Sequence, residues 1–106
     1  MEMEGRTYIL KERDERIRGQ NLNYPIQMVC AFSTQGEIKP LRFRYEDSDH
    51  QIITVDIDNI IAQKEMTIGK GGSLIFTCES GIEDIKRMYE LRYEIGTHKW
   101  IFCRML

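Results

Sequence analysis

The stretch RMYELRYEIGTHKWIFCRML, Arg87 to Leu106, decides the fold. Tyr89, Leu91, Tyr93 and Ile95 fall on one side of an extended chain, and Glu90, Arg92 and Glu94 on the other. That spacing of two is the signature of a strand with one buried and one wet face. Gly96 interrupts the alternation. Lys99 to Leu106 then returns as a second strand, which makes an antiparallel hairpin. No catalytic motif accompanies this pattern, so it defines an architecture and leaves the activity open.

Working toward the N-terminus, Ser73–Glu79 (SLIFTCE) reads as a strand with Leu74, Phe76 and Cys78 on one side. Ser80–Lys86 reads as a loop with room for one helical turn. Gly69-Lys70-Gly71-Gly72 reads as a flexible loop between strands. Ile52–Ile61 (IITVDIDNII) alternates Ile53, Val55 and Ile57 against Thr54, Asp56 and Asp58. The alternation slips at Asn59-Ile60-Ile61, the mark of a bend, a bulge or a strand end. Gln63–Met66 continues it at a sheet edge. Leu41–Glu46 (LRFRYE) alternates with Leu41, Phe43 and Tyr45 inward, and Ile26–Ser33 is an apolar strand. Polar turns fall at Thr34–Glu37 and Asp47–His50.

About six strands with short connectors predict an all-β fold, a small antiparallel β-barrel or a strongly curved sheet, with barrel closure leaving the fewest open edges. The expected buried set is Leu41, Phe43, Ile53, Val55, Ile57, Phe76, Leu91 and Tyr93.

Residues 1–24 differ from residues 25–106, which are expected to form a single β-barrel-like domain. Lys11–Arg18 is KERDERIR, with Glu12 four before Arg16 and Asp14 four before Arg18. That order supports a solvated helix by a few tenths of a kcal/mol per pair. The segment reads as a charged N-terminal arm or short helix. Its apolar residues are Tyr8, Ile9, Leu10 and Ile17, which would have to dock on the barrel or on a second copy to order it.

The chain has 106 residues, 42% hydrophobic and 30% charged, with a net charge of −2. These values fit one globular domain and supply no global field to recruit nucleic acid. No stretch approaches the roughly 20 apolar residues that span a bilayer. The opening MEMEGRTYIL lacks a basic and an apolar signal region. With three cysteines, an odd number, the expectation is a cytoplasmic protein with reduced thiols and no membrane association.

Candidate chemistry is sparse. Cys30, Cys78, Cys103, His50 and His98 lack the close paired spacing of a zinc site; Cys30 and Cys78 read as core residues in strand interiors, and His50 and His98 as solvated turn residues. A Cys78–Cys103 pairing across strands is geometrically possible, but the redox compartment argues against a permanent bond, and no disulfide is expected. Asp56 and Asp58 share a strand face and read as solvated acids. GKGG precedes a strand, so it is no Walker loop. Arg42 and Arg44 share a wet strand face, the best local basic patch, although Glu46, Glu79, Glu90 and Glu94 dilute it. Trp100 reads as a core or rim anchor, and as an interaction hot spot wherever exposed.

The strings KPLRFRYED, IITVDIDNII, LIFTCES and RMYELRYE…HKWIF, spanning about Gln27 to Phe102, resemble small uncharacterised cytoplasmic β-rich proteins of Gram-positive bacteria. The resemblance implies a compact β protein and transfers no catalytic residue. The strand order is similar, by analogy, to SH3-like and Sm-like small barrels, which bind peptides, nucleic acids or other subunits.

The expectation is therefore a non-enzymatic binding or regulatory module without metal or cofactor. It acts through protein–protein contacts or self-association. The candidate surface comprises Arg42, Arg44, Trp100, Tyr8, Ile9 and Leu10. A nucleic-acid-associated barrel is the alternative, and a ligand-binding barrel or hydrolase ranks below both.

Overall fold

The computed structural model describes residues 19–67 and 71–106. Seven antiparallel strands, β1 (Tyr24–Phe32), β2 (Ile38–Glu46), β3 (Ile52–Asp56), β4 (Asn59–Met66), β5 (Ser73–Ile82), β6 (Ile85–Glu94) and β7 (Lys99–Met105), form one sheet. Its order is β3-β2-β1-β7-β6-β5-β4. The all-β expectation is met, with seven strands in place of about six, and the sheet does not close into a barrel.

Closure fails because β3 and β4, the two edges, never pair. The chain passes between them through Ile57 and Asp58. Ile57 N–H donates to Leu41 O on β2 at 2.9 Å, and Asp58 N–H donates to Glu79 O on β5 at 3.0 Å. The slip after Ile57 is thus a strand end, and Ile52–Ile61 is two strands. The crossover brings the edges together at one corner and leaves the sheet open elsewhere.

The core lies inside the resulting bend and is aromatic. Phe43 from β2 meets Tyr89 of β6 edge-on, with centroids 5.7 Å apart, and Phe102 of β7 at 6.0 Å. Tyr24 stacks on Phe102 at 5.2 Å. Trp100 packs on Tyr93 at 5.0 Å and Phe76 at 5.5 Å. Each such ring removes about 150–250 Å² from water, which at roughly 25 cal/mol per Å² drives the two halves of the sheet together.

Phe43, Val55, Phe76, Leu91 and Tyr93 are buried as expected, and Ile53 and Ile57 are half-buried. Leu41 is not; it is exposed. The β1–β2 register shifts so that Val29 faces Arg42 while Cys30 faces Pro40, and Leu41 is the extra residue. Proline lacks an N–H for the ladder and is tolerated beside such a bulge. The inward set becomes Ile38, Pro40, Phe43 and Tyr45.

Ser80–Lys86 is also corrected. Ser80 to Ile82 and Ile85 to Lys86 belong to β5 and β6, and the turn is Glu83-Asp84 alone, with φ of 53° and 66°. Two adjacent left-handed residues make the tight turn whose twist matches a hairpin. The turns at Thr34–Glu37 and Asp47–His50 share one design. Gly36 N–H donates to Ser33 O and Ser33 N–H to Glu37 O; His50 N–H donates to Asp47 O and Asp47 N–H to Gln51 O. Gly36 (φ 85°) and His50 (φ 63°) take the left-handed position.

Strand β1 starts at Tyr24, two residues before the expected Ile26. Ahead of it the chain already follows β7, with Gly19 N–H on Met105 O and Leu22 N–H on Cys103 O. Expectations for an arm helix and for docking by Tyr8, Ile9 and Leu10 lie outside the described residues, as does the first half of GKGG. Among the described residues, no helix is long and apolar enough to cross a membrane.

Candidate functional site

The predicted chemical residues do not converge. His50 Nδ1 meets Glu46 Oε2 at 2.7 Å on an exposed turn. His98 Nδ1 meets the Tyr93 hydroxyl at 2.8 Å on the β6–β7 turn. Asp56 and Asp58 are separated by the crossover. Asp56 Oδ1 pairs with Arg42 Nε at 2.6 Å on the outer face, whereas Asp58 Oδ2 accepts from Gly81 N–H at 2.8 Å. Among the described residues, no group of three or more His, Cys, Asp or Glu is arranged to hold a metal ion.

The three cysteines are free. Cys78 lies on β5 within the aromatic core, and burial pushes its thiol up to about 12. Cys103 sits at a β7 bulge, between Phe102 opposite Leu91 and Arg104 opposite Glu90. Burial raises its thiol, and Arg92, whose Nη1 lies 3.8 Å from the sulfur, partly counters this. Strand β6 runs between the two cysteines, so the Cys78–Cys103 pairing has no geometric basis. Raised thiols are poor nucleophiles at neutral pH.

Arg42 and Arg44 both lie on the exposed face of β2, with Asp56 engaging Arg42. Elsewhere the cations alternate with acids: Arg92 pairs with Glu94 at 3.2 Å and Arg104 with Glu90 at 2.8 Å. Trp100 is only 6% exposed. It belongs to the aromatic core, as a core or rim anchor would.

The feature that sequence reasoning missed is an edge in the middle of the sheet. β1 pairs with β7 only from Tyr24 to Ile26, opposite Phe102 to Trp100. Beyond Ile26 the partner strand has ended, while β1 continues along β2 to Phe32. A groove of about 680 Å³ opens beside this segment. Met28, Cys30, Phe32 and Ile38 line one wall, Tyr93 and Trp100 the other, and His98 and Lys99 stand at its end.

Ladder alternation shows which backbone groups face the groove. Ser33 donates to Glu37, so Ser33 is turned toward β2, as is Ala31 two residues back. Phe32, Cys30 and Met28 are therefore turned away from β2. Pro40 opposite Cys30 agrees, because that position needs no N–H. Among the described residues, nothing receives the N–H and C=O of these three.

The outer edges are defended, and among the described residues nothing defends this one. β3 has five residues and ends at Asp56. β4 carries Lys64 and Glu65 and is bulged at Ile61. Bulges, charges and brevity keep an edge from recruiting strands. Gln27–Phe32, QMVCAF, has no charge, proline or glycine, and no charged residue occurs from Gly19 to Gly36. Val29 is 54% and Phe32 63% exposed. That uncharged run, in a chain 30% charged, was the signal available in the sequence.

Comparison with known protein families, with curated proteins and with solved structures returns no match for this chain.

Proposed function

We propose that this protein is a non-enzymatic binding module that captures an extended protein segment as an added strand along Met28–Phe32 of β1. The observation that carries the reading is the inner edge of β1, whose outward backbone groups meet no partner among the described residues and stand above an apolar groove. In strand addition the main-chain bonds supply affinity, and pockets for alternate side chains supply selectivity. Here Met28, Cys30, Ile38 and Trp100 line the apolar groove that would receive the segment's side chains.

Site-specific photo-crosslinking tests this in the native cell. A photoreactive residue replaces Ala31 in one chain and, as controls, Thr54 on β3 and Lys64 on β4. Discrete crosslinked species from position 31 and none from the controls are expected. Equal crosslinking from all three positions, or none from position 31, refutes strand addition at β1.

A further inference from the structure

We infer that the added strand is β1 of a second copy, paired antiparallel about a two-fold axis at Cys30; this rests on the strand-addition reading above. The argument begins with the backbone. Three residues, Met28, Cys30 and Phe32, turn their N–H and C=O groups away from β2, and they are symmetric about Cys30. An antiparallel strand pairs residues whose numbers have a constant sum. If Cys30 faces Cys30 of the copy, Met28 faces Phe32 and Phe32 faces Met28. Every outward donor and acceptor of both chains is then bonded. Any other register between these residues leaves at least one outward pair unbonded.

The side chains suit the same register. On the groove face, Phe32, 63% exposed in one chain, comes opposite Met28 of the other. Each copy thus covers the other's groove with its most exposed aromatic ring. On the outer face, Val29, 54% exposed, comes opposite Ala31. Charge does not oppose the pairing. A two-fold axis sets identical surfaces against each other, and like charges directly opposite destabilise a sheet. Gln27–Phe32 contains none. β3 and β4 would each bring charges, Asp56 in one and Lys64 and Glu65 in the other, to their own copies.

Sedimentation of the full-length protein across a concentration series tests the inference. The wild type should form a dimer. Val29→Glu with Ala31→Glu places carboxylates opposite carboxylates on a solvent-facing surface, where folding is unaffected because Arg42 and Lys39 are their β2 neighbours. This variant should keep the wild-type circular dichroism and self-associate about 100-fold more weakly.

The register is tested by disulfide trapping with Cys30→Ala in both chains. Val29→Cys in one chain and Ala31→Cys in the other should form a covalent dimer when mixed, and neither alone. The paired Cα atoms of such a non-hydrogen-bonded site lie about 4.5 Å apart, within disulfide reach. A wild type that stays monomeric into the millimolar range overturns the inference. So does undiminished dimerisation of the glutamate variant, or trapping in either single population. Crosslinks from position 31 to other proteins, with a monomeric wild type, would end self-pairing and leave strand addition standing.

Discussion

The strongest test of the bent sheet is a buried hydroxyl pair. Ser80 on β5 is 1% exposed, and its Oγ donates to the Asp56 carbonyl at 2.7 Å. The Tyr89 hydroxyl on β6, fully buried, lies within hydrogen-bond distance of Ser80 Oγ. Since the serine proton is committed to Asp56, the tyrosine is the donor. This relay ties the last residue of β3 to the opposite half of the sheet, beside the crossover.

Ser80→Ala strands a buried phenol and a carbonyl. At about 1–3 kcal/mol per unsatisfied group, and less for the partly solvated carbonyl, the cost is about 2–4 kcal/mol. Tyr89→Phe leaves the Ser80–Asp56 bond in place and costs about 1 kcal/mol. The double variant should cost less than the sum, because Tyr89→Phe removes the phenol that Ser80→Ala strands. Urea unfolding followed by circular dichroism measures all three. With a slope of about 2 kcal/mol per M, Ser80→Ala lowers the midpoint by about 1–2 M at unchanged slope. A Ser80→Ala cost under about 0.5 kcal/mol, or strictly additive singles, refutes the relay.

Other expectations follow from the same geometry. Phe43→Ala, at a fully buried position, should cost about 3–5 kcal/mol by urea unfolding. Asp56→Asn should cost under about 1 kcal/mol by the same assay, because its ion pair with Arg42 is exposed on both sides. Glu83→Asn with Asp84→Gly should raise stability by about 1 kcal/mol, measured as a higher urea midpoint, since these residues suit the left-handed turn. Burial raises the Cys78 thiol from 9.0 to about 12. The folded protein therefore holds that proton more tightly than the unfolded chain. The associated stability is present in full below pH 9 and declines toward pH 12, by up to about 1.4 kcal/mol per unit. Cys78→Ala should flatten that decline in a pH series of urea midpoints.

The alternation of Tyr89, Leu91 and Tyr93 was legible because a half-buried strand writes its period directly into the sequence. Phe43, Val55 and Phe76 were legible for the same reason. Leu41 was misread because a bulge adds one residue and reverses the faces beyond it, and the only local hint was Pro40. The β5–β6 turn was missed because Glu83-Asp84 lacks the glycine or asparagine that usually marks such a turn. Asp58 could not be distinguished from a solvated acid, since its partner Gly81 is 23 residues away. The inner edge of β1 depends on where β7 stops relative to β1, a register fact that no single segment contains. The absence of charge from Gly19 to Gly36 marked the segment without disclosing its geometry.

The crossover at Ile57-Asp58 makes this molecule two meanders joined side by side. Among the described residues, β1 to β3 pair as successive hairpins, and so do β4 to β7; the one long-range ladder among them is the short junction of Tyr24–Ile26 with Phe102–Trp100. Local hairpins close quickly, while a ladder joining distant segments must first overcome the entropy of a large loop. Folding should therefore be limited by zipping of the β1–β7 seam. A backbone cut between Ile57 and Asp58 would break no ladder, so the fragments on either side should reassemble in trans. The seam would then behave as a docking interface between two pieces, with the aromatic core as its adhesive.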